Sequence, residues 1–122
     1  MSRHTSQRHE LQPISAEDAL VFDISRFEAN TMYDFALQCE ILGLIQSQIE
    51  QMRVRLSQGG LSAEESKFVG HTLRGAAAAV GALELEDMGT HWVELGLAGH
   101  DLLQGLILAN ERFKQATRQY KL

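Results

Sequence analysis

Residues 62–81 read SAEESKFVGHTLRGAAAAVG. Ser62, with Glu65 three places on, has the form of a capping box: the hydroxyl accepts from the first helical turn and the carboxylate reaches back. Ala76 to Ala79 favour a helix more than any other residue type does. Gly81 then offers the residue that most easily takes the left-handed conformation at a helix end. The stretch therefore predicts one amphipathic helix. Placed at about 100° per residue, Val69, Leu73, Ala76 and Val80 share its core side. His71 falls opposite them, flanked by Lys67, Arg74, Gly75 and Ala78.

Working outward, the same periodicity recurs on both sides. Upstream, Phe35, Leu42, Ile45, Ile49, Met52 and Leu56 recur at steps of three and four, and they predict a long helix over 32–58 that Gly59-Gly60 ends. Leu37, Ile41 and Leu44 widen its apolar arc, so it needs more than one helical neighbour. Before it, Ser15 with Glu17 and Asp18 predicts a short leading helix carrying Ala19, Leu20 and Phe22, with a restart at Asp23 or Ser25. Downstream, Leu85, Met88, Trp92 and Leu95 mark a helix over 84–99, along which Gly89 and Gly96 suit close backbone approach. Asp101 can cap a last helix whose stripe is Leu102, Leu103, Leu106, Ile107, Phe113 and Tyr120. No convincing strand stands out. The reading is an all-α domain: an up-and-down antiparallel four-helix bundle with a short leading N-terminal helix over 14–122, preceded by a flexible tail over 1–13.

Composition narrows the function classes. The 122 residues suit one domain, and 44% hydrophobic with 22% charged residues is ordinary for a globular chain. Eleven basic against sixteen acidic side chains give a formal charge of −5, which argues against a general nucleic-acid surface. A single cysteine, Cys39, leaves no internal disulfide and no paired-cysteine metal or redox site. The first 13 residues hold no apolar core of a secretory signal, and no run approaches the roughly 18 apolar residues of a membrane span. A cytoplasmic protein is expected.

Chemistry concentrates around His71. An exposed imidazole on a helix anchored at its back is common as an incidental surface residue, so its neighbours must distinguish it. Gly75 stands one turn further along the same face, where glycine costs about 1 kcal/mol relative to alanine. Its missing side chain leaves room beside the ring. Arg74 brings a fixed positive charge with several donors, and Lys67 brings a second cation one turn earlier. Phe68, on a flank, offers apolar surface for docking. Gly70 lies to one side and is better explained by helix packing. An imidazole with cations beside it and cleared space above suits a nucleophile that accepts an anionic phosphoryl group.

His71-Thr72-Leu73-Arg74-Gly75, then five residues, Gly81-Ala82 and Leu85, resembles the signature H-x-L-[KR]-G-x5-G-x3-L of histidine-containing phosphotransfer domains. The order of helices along the whole chain is similar to theirs. The resemblance implies that His71 is transiently phosphorylated, taking the group from an aspartyl phosphate on a response-regulator receiver domain and passing it to another. It implies that Arg74 assists the phosphoryl group and that Gly75 permits close approach. Receiver domains and a hybrid sensor histidine kinase are the partners expected, docking over Lys67, Phe68 and Ala78, with no nucleic acid or membrane involved. No cofactor is expected on the chain itself, Mg²⁺ being expected on the receiver, and a monomer is expected over a dimer. The sequence departs from the family pattern at Gly70, at Gly89 and after Trp92, where Val93 precedes Glu94. No phosphate-cradling glycine loop is present, so ATP-dependent self-phosphorylation is not expected.

Three other readings compete. The chain could be a module of the same shape that binds a receiver or kinase without carrying phosphate, although His71, Arg74 and Gly75 together have no use there. His91 or His100, with Glu84, Glu94 and Asp101, could hold a metal, yet no H-x-x-x-H or H-E-x-x-H pair exists. His4 and His9 in the tail lack carboxylate partners. The wide apolar arc of the long helix could serve a dimer, which is compatible with phosphotransfer.

Overall fold

The computed structural model describes residues 14–95 and 99–121; the expected tail and Gly96 lie outside the described residues. Among the described residues six helices pack together: α1 (Ala16–Ala19), α2 (Ile24–Asn30), α3 (Phe35–Gln58), α4 (Ala63–Val80), α5 (Leu83–Leu95) and α6 (Gly99–Ala116). Among the described residues there is no strand, only an isolated antiparallel bridge between Phe22 and Ala82.

Local chemistry starts most of these helices where side-chain oxygens can meet the free amides of a first turn. Ser15 Oγ accepts from Asp18 N at 3.0 Å, and Asp23 Oδ1 accepts from Arg26 N at 3.0 Å. Asp34 Oδ1 accepts from Leu37 N at 3.1 Å. At α4 the capping box is complete: Glu65 N donates to Ser62 Oγ at 3.1 Å, and Ser62 N donates to Glu65 Oε1 at 2.9 Å. These contacts, and then Arg55, hold the Glu65 carboxyl below its ordinary value. Gly81 ends α4 in the left-handed region at φ 72°, with Ala82 N donating to Ala77 O at 2.9 Å.

α3 packs on α4 and α6, and α5 packs on the same two helices; the α4–α5 pair is the most intimate. α1 lies on α6 and α2 on α4. Between α1 and α2 the chain runs alongside the α4–α5 turn. There Asp23 N donates to Gly81 O at 2.8 Å and Leu83 N donates to Val21 O at 3.0 Å. The core is closed by Phe22, Phe27, Leu73, Leu85, Trp92, Leu106 and Phe113, all at most 1% exposed.

Several expectations need correction. The long helix begins at Phe35, not at Met32, because Met32 and Tyr33 stand at φ 54° and 59° and turn the chain between α2 and α3. Ala77 is fully buried and Ala76 only half-buried, so the core side of α4 is rotated slightly from the wheel. Leu44 and Leu95 are 62% and 65% exposed, so neither adds to the core among the described residues. α6 runs over Gly99–Ala116, so Asp101 lies within it rather than before its start, and Tyr120 follows the helix end. No helix among the described residues is long and apolar enough to cross a membrane.

Candidate functional site

α4 carries the site because its back is anchored. Leu73 and Ala77 are fully buried and Val80 nearly so, while His71, Lys67, Phe68 and Gly75 are exposed. Arg74 is half-buried, and its Nη2 donates to His71 Nδ1 at 3.2 Å. A guanidinium has no acceptor, so Nδ1 is the accepting atom. The neutral ring in this arrangement therefore carries its proton on Nε2. Among the described ion pairs none involves Lys67 or Arg74.

The glycines of this region fall into separate roles once their surroundings are known. A Cβ on Gly75 meets nothing within 4 Å, so no packing demand explains the glycine. A Cβ on Gly70 would stand 3.0 Å from Val93 Cγ2 and 3.2 Å from Trp92 Cγ, which confirms a packing role. A Cβ on Gly89 would stand 2.7 Å from the backbone N of Arg74 and 2.9 Å from its Cα. Gly89 thus lets α5 lie directly against α4 at the level of Arg74. Sequence reasoning marked Gly89 for close approach but did not identify Arg74 as the residue approached.

Two neighbours steady this wall. Trp92 Nε1 donates to Ser66 Oγ at 2.7 Å, pinning the first half of α4 to α5. At the other end Arg26 Nη1 donates to Ala78 O at 3.2 Å and contacts Glu86 Oε1 at 3.1 Å. Asn30 Nδ2 donates to Ala79 O at 3.0 Å. Ala78 is accordingly half-buried beneath α2, and Arg26 and Asn30 are supporting residues that no sequence motif pointed to.

Phe68 is 71% exposed and borders an open groove of about 210 Å³ between α3 and α4. Gln48, Gln51 and Arg55 line one side, and Phe68, Val69 and Thr72 the other. The groove begins one residue from His71. His91 lies apart on α5, exposed, with Nδ1 2.9 Å from Asp87 O. The side chains of His100 and Asp101 lie outside the described residues. Cys39 is half-buried, and burial raises its thiol pKa.

No family model, no curated protein and no solved structure matches the chain.

Proposed function

We propose that this chain is a histidine phosphotransfer domain of a two-component phosphorelay, with α3 to α6 as an antiparallel up-and-down bundle. One observation carries the reading. An exposed histidine is hydrogen-bonded to an arginine, with an open glycine one turn on along the same helix face. Glycine at an exposed helical position costs stability, so its presence beside a nucleophile that needs clearance has a chemical rationale.

In the proposed step an imidazole nitrogen of His71 attacks the phosphorus of an aspartyl phosphate on a receiver domain. The N–P bond forms, the acyl P–O bond breaks, and its electron pair remains on the receiver's carboxylate. The attacking nitrogen uses its lone pair, and the resulting cation can then release the proton of the other ring nitrogen to solvent. Arg74 and Lys67 offset the charge of the phosphoryl oxygens, and the receiver brings Mg²⁺. Phe68 and the adjacent groove give the receiver an apolar landing, within a cytoplasmic signalling chain that also includes a hybrid sensor kinase.

The test is to mix the protein with a ³²P-phosphorylated receiver and Mg²⁺, alongside His71→Gln. Acid-labile label on the wild type and none on the variant supports the reading. Tight binding of the receiver with no label on His71 would replace it with a docking module that carries no phosphate.

A further inference from the structure

His71 and His91 present opposite chemistry to solvent. At His91, Nδ1 lies 2.9 Å from the Asp87 carbonyl oxygen, which can only accept. The ring proton therefore sits on Nδ1, and the Nε2 lone pair is open. At His71, Nδ1 faces Arg74 Nη2 at 3.2 Å, which can only donate. Its Nδ1 lone pair is engaged, and Nε2 carries the proton. The resting imidazole of His71 thus offers no free lone pair, although it is exposed on the outer face of α4.

We propose that Arg74 keeps His71 closed in the resting protein and that an incoming anionic phosphoryl group opens it by drawing the guanidinium off Nδ1. This rests on the reading of His71 as a phosphoryl acceptor. Attack through Nδ1 needs the lone pair that Arg74 holds. Attack through Nε2 needs the ring proton moved to Nδ1, the same position. Both routes begin with Arg74 leaving the ring. Phosphoryl oxygens are stronger acceptors for a guanidinium than an imidazole nitrogen, because the hydrogen bond gains an ionic component. The same residue then stabilises the group whose arrival released it, and neutral electrophiles receive no such help. After release the ring proton exchanges from Nε2 to Nδ1 through water, or stays in place if Nδ1 attacks. The attacking nitrogen forms the N–P bond, and the leaving oxygen keeps the P–O electron pair.

The backbone and Cβ of Arg74 lie against α5 at Gly89, so the guanidinium swings from a fixed base. Removing the donors while keeping the stem is the cleanest change, and Arg74→Met does that.

Two small electrophiles of opposite character test the idea. Diethyl pyrocarbonate is neutral; a histidine nitrogen attacks its carbonyl, leaving an N-carbethoxy group and releasing ethanol and carbon dioxide. Phosphoramidate is anionic and transfers a phosphoryl group with loss of ammonia. Modification at each histidine is read by peptide mass mapping across a pH series, taking the alkaline plateau where the ring is neutral. In the wild type, His91 is expected to carbethoxylate faster than His71. Arg74→Met is expected to raise the His71 rate about two- to ten-fold, the range expected from one net hydrogen bond. It leaves His91 unchanged and lowers phosphorylation of His71. Equal carbethoxylation of His71 in wild type and Arg74→Met overturns the closure, as do two rates that move in the same direction. If phosphoramidate labels neither protein, the phosphotransfer reading fails and the opening step with it. The closure itself is still decided by carbethoxylation.

Discussion

Gly43 and Gly75 are both exposed helical glycines, and at both a Cβ would meet nothing within 4 Å. The fold asks for neither, so alanine at each should raise stability by about 0.5–1 kcal/mol in urea denaturation. Their consequences for chemistry differ. Gly75 follows His71 by one turn, and a methyl group there crowds whatever bonds to the ring. A crowding cost of about 1 kcal/mol in the transition state is about five-fold in rate. Gly75→Ala is expected to be more stable yet label at least that much more slowly from a phosphorylated receiver. Gly43→Ala is expected to be more stable and label normally. Equal labelling by the two variants would remove the functional account of Gly75. That His71, Arg74 and Gly75 share a face was legible in the sequence, because helical spacing alone decides it. The contact between Gly89 and the Arg74 backbone was not, because it depends on how far α5 slides along α4.

At the scale of elements, the α4–α5 turn sets how the site wall meets the rest of the molecule. Gly81 takes φ 72°, and a Cβ there would stand 2.5 Å from the backbone oxygen of Asp23. Alanine in the left-handed region costs roughly 1–2 kcal/mol, and here it must also push away a backbone segment. The bond from Asp23 N to Gly81 O at 2.8 Å would stretch with it. Gly81→Ala is expected to lower stability by about 2 kcal/mol or more, seen as a clear fall in melting temperature. A melting temperature equal to wild type would show that the α1–α2 segment does not brace this turn. Capping chemistry and glycine stops made the ends of α4 readable in advance. α3 starts three residues later than the expected 32 because the chain reversal after α2 takes Met32 and Tyr33 into left-handed backbone, which helical periodicity does not show. Leu44 and Leu95 share the apolar stripes yet stay exposed for a related reason: periodicity shows which residues share a face, but not how far a neighbour covers it.

Across the whole molecule, α2 and the segment after α6 are joined through a buried polar cluster. Glu28 is 1% exposed, and its carboxyl accepts from the Tyr120 hydroxyl and, at 2.9 Å, from Gln38 Nε2. Gln38 Nε2 also donates to Thr31 Oγ1 at 3.0 Å. The Tyr120 ring packs edge-on against Phe27, with centroids 5.1 Å apart, and against Phe22 at 6.1 Å. Nothing in the sequence links positions 28 and 120, since a buried glutamate looks like any other glutamate until its partners are placed around it. Tyr120→Phe keeps the ring and removes the donor, leaving a buried carboxyl oxygen short of a partner at a cost of about 1–3 kcal/mol. Burial first, and then the carboxyl of Glu28, push the Tyr120 hydroxyl pKa well above its ordinary value. The folded state therefore holds this proton where the unfolded chain releases it. Its contribution is complete below a pH of about 10 and is lost above it, by up to about 1.4 kcal/mol per pH unit. Denaturation of wild type and Tyr120→Phe should differ by a constant amount from pH 7 to 9. Above pH 10 the difference should shrink, because phenylalanine has no proton to hold. A gap that stays constant to pH 11 would mean that Tyr120 ionises as freely in the folded protein as in the unfolded chain, and that the clasp between α2 and the segment after α6 is not made by this hydroxyl.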